Sequence, residues 1–402
     1  MKKILFVINT MGRAGAEMAL LELLRSLKSK EIELSLFVLT GQGEMLQGLP
    51  EGVHVLNRTY DDSSVHTAEG KKHLMKTVCK AMVRRGTGIR LFPYLVKQLF
   101  AMLRKGKVLP DKLLWRVLSD GAQRFEEEYD LAVAYIEGGS TYYVKDHVKA
   151  KKKAAFFHVD YSMAGYTRSL DKECYTAYDK VFPVSDEVKA AFLEAYPECR
   201  EKTEVFHNLI NRKRILDMAE LPGGFTDDYN GYRILTVGRL MEQKDFAQSI
   251  RAMKLLKEQG IRARWYILGE GEQRGELERL IQELGLEQEF FLPGAVENPY
   301  CYMKQADIYV HATRFEGKSI AIQEAQVLGR PILVSDCSGN REQVQHGVDG
   351  LLCDMTPEAI CEGIRQLLVE EDKRKNYGNM AAKRHTTEQK ETEKLLSLLL
   401  GK

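Results

Sequence analysis

Two carboxylates separated by a small polar segment point most directly to chemistry in this chain. Glu316 and Glu324 lie eight positions apart, with Gly317-Lys318-Ser319 directly after the first of them. An apolar run, 308–312, precedes the pair, and a glycine and a proline follow it. Because glycine and proline end helices, the pattern predicts a strand, a turn, a short helix and a second strand. Such a pair could work as acid and base or bind hydroxyl groups.

The predicted helix begins near Ser319, at the end of the polar segment. Doubly wound sheets bind ligands at the carboxyl ends of their strands, and the unpaired amides at a helix N-terminus bind anions. We therefore expect Glu316, Glu324 and the main chain of residues 317–320 to share one crevice. Carboxylates beside an anion site suit a ligand with hydroxyls at its ends and phosphates in its middle, and a nucleotide-sugar is such a ligand.

Two cations expected at the same edge of the sheet favour phosphate binding. Arg239 and Lys244 flank the loop between a predicted strand, 233–237, and the next helix. Arginine binds phosphate through paired hydrogen bonds and lysine adds a point charge, although either residue could be an ordinary surface cation. Further along, Gly294 belongs to a turn after the predicted strand 290–292, where the chain could pack on a nucleobase.

The first half of the chain opens as a Rossmann-like unit: a buried parallel strand, 2–10, a turn with Gly12 and Gly15, and a helix. The two glycines are a weak dinucleotide signal, because the third is missing and no acidic residue ends the second strand, 34–40. Two interpretations stay open. The turn needs glycine for its geometry, or its main chain lets a diphosphate or an acceptor approach closely.

His158 ends another predicted strand, 153–159, and so lies at the ligand edge of the first sheet. A neutral imidazole can donate a hydrogen bond to a sugar hydroxyl or a phosphate, and Asp160 could orient it. A single histidine is more often structural, but the strand-end position and the adjacent carboxylate favour a role in binding.

Length and composition bound the protein class. A chain of 402 residues suggests two domains, and the polar, turn-rich stretch 206–230 predicts the linker. The seven cysteines are scattered without CxxC spacing, which favours reduced thiols in the cytoplasm over a disulfide or zinc framework. No apolar stretch reaches about 18 residues, so no membrane span is expected. The apolar run after Met1 is too short for a signal peptide.

Residues 70–124 form a predicted helical region in which cations greatly outnumber the two acidic residues, Asp111 and Asp120. The cations are Lys71, Lys72, Lys76, Lys80, Arg84, Arg85, Arg90, Lys97, Arg104, Lys105, Lys107, Lys112, Arg116 and Arg124. Interleaved apolar residues make the segment suited to an anionic membrane surface or a lipid-linked acceptor. An ordinary solvated basic face is the alternative. Nucleic acid is not expected, because no known binding module is present.

Taken together, the motifs resemble those of a known family. They are Val237-Gly238-Arg239-Leu240 with Lys244, Gly269-Glu270-Gly271, Glu316-x7-Glu324-Ala325 with Gly329 and Pro331, Gly339 with Glu342, Gly347-x2-Gly350-Leu351, and Gly12-x2-Gly15-Ala16-Glu17. The chain resembles retaining family 4 (group 1) glycosyltransferases. This resemblance implies the α/β GT-B fold, in which two Rossmann-like domains with parallel sheets face each other across a cleft. Residues 1–205 with a C-terminal crossover helix at about 386–402 would form the acceptor-side domain, and 206–385 the nucleotide-sugar-binding domain.

The resemblance also implies roles for individual residues. The candidate catalytic residues are His158, Arg239, Lys244 and Glu316, and the candidate donor-binding residues are Gly15, Gly294, Gly317, Lys318, Ser319, Ile320 and Glu324. Arg239 and Lys244 would hold the donor's diphosphate, and Glu324 would bind the ribose hydroxyls. Glu316 and His158 would approach the donor sugar.

The implied activity is transfer of a sugar, with retention of configuration, from a nucleoside-diphosphate sugar such as a UDP-sugar. The acceptor would be a glycan, lipid-linked or polymer acceptor in cell-surface polysaccharide biosynthesis, with the enzyme in the cytoplasm or peripheral on the inner face of the plasma membrane. No Asp-x-Asp pair is present to chelate a metal, and no cofactor is expected. The pair Lys318-Ser319 departs from the aromatic or leucine followed by glycine of many members, which leaves the donor sugar open.

Other functions on the same fold stay open, because a fold does not fix a function. A nucleotide-sugar epimerase or phosphorylase would act on the same ligand. A non-catalytic nucleotide-sugar-binding protein would bind it without turnover. A dehydrogenase is the weakest rival, given the incomplete glycine fingerprint.

Overall fold

The computed structural model describes residues 1–29, 31–65, 67–104, 106, 108–161, 163–384 and 388–401. The chain divides into two compact units, Met1–Leu209 with Thr387–Lys402, and Ile210–Thr386. Two cations of the predicted basic region, Lys105 and Lys107, and the first residues of the predicted crossover helix, 386–387, lie outside the described residues.

The first unit is built on a parallel six-stranded sheet. Its strands are β1 (Lys2–Ile8), β2 (Ile32–Val38), β3 (Val53–Val55), β4 (Glu128–Ala134), β5 (Lys149–Phe157) and β6 (Lys180–Pro183), in the order β3-β2-β1-β4-β5-β6. Its helices before the second unit are α1 (Gly15–Ser26), α2 (Ala68–Val83), α3 (Thr87–Arg104), α4 (Pro110–Gly121), α5 (Gly139–His147), α6 (Arg168–Asp171) and α7 (Asp186–Ala195). The side chains of the continuous apolar run from Ile4 to Ile8 are fully buried in the central strand, as a strand covered on both faces requires.

The predicted helical region is present as α2, α3 and α4, which share a small core of their own. This core contains Val78, Ala81, Leu91, Val117 and Leu118. Helix α4 approaches α2 closely at Gly121, where a Cβ atom would lie 2.4 Å from the Ala81 carbonyl oxygen. The outer surface of α3 lies away from this core and carries exposed apolar side chains.

Arg116 is a correction to the predicted basic surface. Its side chain is 1% exposed, so it is not a surface cation. It donates to Asp146 Oδ2 at 2.8 Å and to the Asp171 main-chain oxygen at 3.2 Å, and its guanidinium lies 3.7 Å from the centre of the Tyr142 ring. A buried guanidinium needs such partners to offset its lost hydration, and only the folded chain brings them together.

The second unit repeats the architecture. Its strands are β7 (Tyr232–Val237), β8 (Ala263–Leu268), β9 (Phe290–Gly294), β10 (Ile308–His311), β11 (Ile332–Ser335) and β12 (Leu351–Cys353), in the order β12-β11-β10-β7-β8-β9. Its helices are α8 (Arg212–Ala219), α9 (Phe246–Glu258), α10 (Arg274–Glu283), α11 (Tyr300–Gln305), α12 (Ile320–Val327), α13 (Ser338–Arg341), α14 (Pro357–Val369) and α15 (Glu371–Ala382). The strands pair in parallel, so both sheets confirm the predicted class of two Rossmann-like units.

The strand order fixes where each unit can bind a ligand. The direction of winding reverses between β1 and β4 in the first sheet and between β7 and β10 in the second. The carboxyl ends of strands at such a reversal leave a crevice, because the connections run to opposite sides of the sheet. The loops after β7 and β10 therefore define the candidate site of the second unit.

The segment between the two sheets is more ordered than its composition predicts. Residues 206–230 were expected to be a turn-rich linker, but they contain α8, whose N-cap Asn211 accepts a hydrogen bond from the Arg214 amide. A side-chain cap at the helix start explains why a short polar segment still forms a helix.

The last helix, α16 (Glu388–Leu400), packs within the first unit. Lys394 Nζ donates to the Val205 oxygen at 2.6 Å, and Glu391 Oε2 accepts from the His207 amide at 3.0 Å. Among the described residues, no helix is long and apolar enough to cross a membrane.

Candidate functional site

The loop after β7 places Lys244 at the reversal point of the second sheet. The loop ends in the short turn Glu242–Lys244, followed by Asp245 in a left-handed conformation with φ 42°. It is fastened to the loop after β10, because Arg314 Nε donates to Asp245 Oδ2 at 2.9 Å and the Arg314 amide donates to the Gln243 oxygen at 3.0 Å. These contacts hold Lys244 beside the predicted two-carboxylate segment.

Lys244, Glu316 and His311 form one compact cluster at this point. Lys244 Nζ donates to Glu316 Oε2 and lies 3.1 Å from His311 Nε2. His311 Nε2 lies 3.1 Å from the same Glu316 oxygen. The side chains are 13%, 17% and 2% exposed in the order Lys244, Glu316, His311, so the charges interact in a largely desolvated place. Sequence reasoning predicted Lys244 and Glu316 at one crevice but did not identify the bond between them.

The electrostatics of the cluster fix its protonation. Burial by itself raises the pKa of Glu316, but the Lys244 charge and the His311 contact outweigh it and hold the pKa well below its usual range. Burial and the Lys244 charge lower the pKa of His311 from 6.5 to about 4. At neutral pH Glu316 is therefore a carboxylate and His311 a neutral imidazole.

His311 is the residue of this cluster that the sequence prediction missed. It is the last residue of β10, five positions before Glu316, and it lay inside an apolar run that was interpreted only as a strand. A histidine at the carboxyl end of a buried strand, shortly before a carboxylate, is the signal that could have identified it.

The helix after the polar segment begins as predicted, with Ser319 at the N-cap of α12. Glu324 lies on this helix, 7% exposed, and its Oε1 accepts a hydrogen bond from the Tyr300 hydroxyl at 2.7 Å. Tyr300, at the start of α11, was not predicted as a site residue, and it fixes one oxygen of the Glu324 carboxylate. The turn between Glu316 and α12 packs on Gly339, where a Cβ atom would lie 2.1 Å from the Gly317 oxygen.

The other predicted residues of the second unit occupy different positions around the crevice. Arg239 directly follows β7 and Gly238 and is exposed. Gly238 lies under the Lys244 side chain, because a Cβ atom there would lie 3.6 Å from Lys244 Cε. Gly294 ends β9 with φ 96°, and its oxygen accepts from the Gly269 amide at 2.9 Å. Gly294 therefore lies two strands away from β7, at the outer end of the sheet.

In the first unit, His158 lies at the carboxyl end of β5, and Gly15 begins α1 after β1. The His158 amide donates to Glu137 Oε2 at 3.1 Å, and its ring Nε2 lies 2.9 Å from the Tyr135 oxygen. A carbonyl only accepts, so Nε2 carries the proton and Nδ1 carries the lone pair. Burial lowers the pKa of this imidazole from 6.5 to about 4, which keeps it neutral.

This geometry corrects two details of the sequence prediction for His158. The contact that orients the ring comes from the Tyr135 main chain, whereas Asp160 Oδ1 accepts from the Met163 amide at 2.9 Å. Because Nε2–H already donates, the remaining ring nitrogen acts as an acceptor rather than as the expected donor. The neighbouring Glu137 was not predicted as a site residue, and burial raises the pKa of its carboxyl.

Part of the chain is similar to known glycosyltransferases. Residues 225–384 match the family model "Glycosyl transferases group 1". Over 212 residues the chain is 32% identical to the N-acetylgalactosamine-N,N'-diacetylbacillosaminyl-diphospho-undecaprenol 4-alpha-N-acetylgalactosaminyltransferase of Campylobacter jejuni, covering 52% of this chain and 56% of that one. It is 29% identical over 257 residues to an uncharacterized glycosyltransferase of Methanocaldococcus jannaschii, covering 61% and 62%. The chain thus spans little more than half the length of these curated relatives.

A solved structure matches the whole fold. The crystal structure of Anabaena HepE in complex with UDP and glucose covers 100% of both chains, with a TM-score of 0.68 and 16% identity. This likeness shows the fold, which is GT-B. The family match confirms the predicted resemblance to group 1 glycosyltransferases.

Acidification tests the burial of His158. Between about pH 6.5 and 4 the unfolded chain binds a proton that the folded chain does not, so the stabilisation present at neutral pH is lost as the pH falls. We expect this histidine to lower the free energy of unfolding by about 2 kcal/mol between pH 7 and 5. Urea unfolding of His158→Gln should show a correspondingly smaller loss. The exposed control His54→Gln should lose as much as the wild type, and an equal loss in all three proteins would contradict the prediction.

Proposed function

We propose that this chain is a glycosyltransferase that transfers a sugar from a UDP-sugar to a glycan or lipid-linked acceptor in cell-surface polysaccharide biosynthesis. We further propose that the reaction retains the anomeric configuration and needs no metal ion. The observation that carries the proposal is the Lys244–Glu316 pair, within the segment that matches group 1 glycosyltransferases and at the reversal point of the second sheet.

Phosphate binding follows from the charges around the crevice. Lys244 lies at its edge, Arg239 is exposed on the loop after β7, and the first amides of α12 follow Ser319. Cations and helix N-termini stabilise the negative charge that develops on a leaving diphosphate. These groups can supply that stabilisation themselves, and no Asp-x-Asp pair for chelating a metal occurs in the sequence.

The same groups account for retention without a protein nucleophile. As the donor sugar ionises toward an oxocarbenium-like state, the leaving diphosphate stays on the face it departed from. One of its oxygens can accept the proton of the acceptor hydroxyl, so the new bond forms on that same face. In the proposed mechanism Glu316, a carboxylate at neutral pH, contacts the sugar hydroxyls, while Lys244 and Arg239 hold the leaving group.

The known proteins support the choice of donor and acceptor class. The Campylobacter relative is named for transfer of N-acetylgalactosamine to a diphospho-undecaprenol-linked glycan, and the HepE structure contains UDP and glucose. We propose that Lys318-Ser319, which departs from the common family pattern, helps select the sugar. The cytoplasm, at the inner face of the plasma membrane, is the proposed location.

Donor binding and transfer test the function directly. In a thermal-shift screen of nucleotide-sugars, we expect a UDP-sugar to raise the unfolding temperature of the protein, because ligand binding stabilises the folded state. Transfer from that donor should fall about 100- to 1,000-fold in Lys244→Met, since stabilisation of the leaving group is lost. The control Lys254→Met removes a lysine that pairs with Glu258 on α9 and should stay near wild type. Equal transfer by both variants would refute the phosphate role, and binding without transfer would favour a sensor.

The Tyr300–Glu324 bond predicts a second effect. Tyr300→Phe removes one hydrogen bond from the carboxylate that is proposed to contact the ribose. It should weaken UDP binding by about tenfold, the usual effect of losing a hydrogen bond to a charged group. Calorimetry with UDP and with its 2′,3′-dideoxy analogue should show a smaller difference between the two in this variant than in the wild type. Tyr302→Phe, on the same helix, is the matched control. An unchanged preference for UDP in Tyr300→Phe would argue against Glu324 as the ribose contact.

The outer face of α3 supports membrane contact. Ile89, Phe92, Phe100 and Leu103 are 86%, 66%, 61% and 56% exposed and recur at helical spacing. The exposed cations on α2 and α3 are Lys71, Lys72, Lys76, Lys80, Arg90, Lys97 and Arg104. Apolar side chains flanked by cations suit the headgroup region of an anionic phospholipid membrane, where a lipid-linked acceptor would be found.

Vesicle sedimentation tests this surface. We expect binding to equimolar phosphatidylglycerol and phosphatidylcholine, and little binding to phosphatidylcholine alone. Phe92→Ser with Phe100→Ser should weaken binding at least about tenfold, because two aromatic rings leave the membrane. Met163→Ser, which replaces another exposed apolar side chain of the first unit, serves as the control. Equal binding to both vesicle types, or unchanged binding by the double variant, would contradict membrane contact through α3.

A further inference from the structure

His311 lies between two opposite charges, and its Nε2 is 3.1 Å from both Lys244 Nζ and Glu316 Oε2. An ammonium group only donates and a carboxylate only accepts, so Nε2 satisfies Lys244 with its lone pair or Glu316 with a proton, one at a time. With the lone pair on Nε2, the proton of the neutral ring lies on Nδ1, which is 3.3 Å from the Tyr309 hydroxyl oxygen. Tyr309 in turn lies 3.5 Å from the Val237 oxygen, to which it can donate.

Under the proposed function this arrangement changes, because Lys244 then binds the donor's phosphate. When the ammonium group turns its hydrogen bonds to that ligand, Glu316 loses the partner that holds its carboxylate in place. A largely buried carboxylate without a partner is strongly unfavourable and free to reorient. The only uncharged donor that the cluster can supply in its place is the His311 ring, whose Nε2 already lies 3.1 Å from Glu316 Oε2.

We infer that His311 is a positioning residue that exchanges its tautomer when Lys244 turns to the donor's phosphate. With Lys244 in place, Nε2 accepts from Lys244 and Nδ1–H donates to Tyr309. With Lys244 withdrawn, Nε2–H donates to Glu316 and the Tyr309 hydroxyl donates to Nδ1. One proton leaves Nδ1 and one binds Nε2, both exchanged with water, so the ring stays neutral and no net charge moves.

The surroundings of the ring support both states. A tyrosine hydroxyl can donate or accept, so Tyr309 satisfies Nδ1 in either tautomer. Burial and the Lys244 charge keep the imidazole neutral at physiological pH, which is the form that has two tautomers. His158 differs in this respect, because its Nε2 lies against a main-chain carbonyl that can only accept. A histidine that only packed in the core would need neither the Lys244 charge beside Nε2 nor a hydroxyl beside Nδ1 that can both donate and accept.

Nitrogen-15 NMR of histidine-labelled protein tests the exchange without any ligand. The His311 signals among those of the nine histidines are assigned by their loss in His311→Gln. The wild type should show the proton on Nδ1. Lys244→Met, which removes the ammonium group, should show it on Nε2. A wild-type ring protonated on Nε2, or a ring that keeps Nδ1–H in Lys244→Met, would overturn the inference.

The functional consequence rests on the proposed glycosyltransferase activity and has separate readouts. Adding UDP should move the proton from Nδ1 to Nε2, and a UDP complex seen by calorimetry without this change would refute the exchange. His311→Leu should lower kcat by about tenfold or more with little change in KM for the donor, because Glu316 loses orientation rather than Lys244 losing phosphate. His311→Gln should recover part of kcat, since its amide can donate to Glu316.

The outcomes separate the two proposals. If UDP and UDP-sugars do not bind at all, the proposed function fails, while the Lys244→Met spectrum still decides whether His311 exchanges its tautomer. If transfer occurs and His311→Leu matches the wild type in kcat, the positioning role fails while the glycosyltransferase proposal stands. Equal losses in His311→Leu and His311→Gln, with native thermal unfolding in both, would also exclude the hydrogen-bonding role.

Discussion

The candidate site of the second unit depends on one interaction, the bond between Lys244 and Glu316. Both groups are largely buried, and neither could be left there alone, because an isolated charge in such a place costs several kcal/mol. The pair exists because β7 and β10 are neighbours at the reversal point, so the loops after them meet although 72 residues separate the two side chains. Strand order, rather than local sequence, creates the site, and the Arg314 contacts with the β7 loop hold it closed.

Under the proposed function, this ion pair also prepares the site for an anion. Lys244 satisfies its charge with Glu316 while no phosphate is bound, and a diphosphate offers it an alternative partner of greater charge. The two anions then compete for one ammonium group. The net free energy of diphosphate binding therefore includes the loss of the Lys244–Glu316 bond. The first unit has no such charge pair among the residues described at His158. The His158 ring is neutral, and burial raises the pKa of the neighbouring Glu137 carboxyl.

Much of this could be predicted from the sequence, for reasons that the structure makes clear. Continuous apolar strands and helix-stopping residues are local signals, so both sheets, the Ser319 helix start and the clustering of Lys244 near Glu316 followed from them. Tyr300 and Glu137 were missed because their partners, Glu324 and His158, lie 24 and 21 residues away. His311 was missed because its contact with Lys244 spans 67 residues. The prediction for Arg116 was wrong for the same reason: its partners, Asp146 and Asp171, become its neighbours only in the fold.

The missed residues share a property that bears on how such a site works. Three of the predicted residues contact a residue that was not predicted: Glu316 contacts His311, Glu324 contacts Tyr300, and the His158 main chain contacts Glu137. A carboxylate has two oxygens, and fixing one of them by a buried donor also defines the direction of the other. Removing such a partner leaves the carboxylate charged but no longer fixed in direction. Where the carboxylate acts only in the transition state, the substitution should therefore lower the rate of the chemical step more than the ligand affinity. For Glu324, which is proposed to bind the ribose in ground and transition state alike, the same argument predicts the opposite partition, a loss of affinity. The two partners, His311 and Tyr300, therefore distinguish by kinetics which carboxylate serves chemistry and which serves binding.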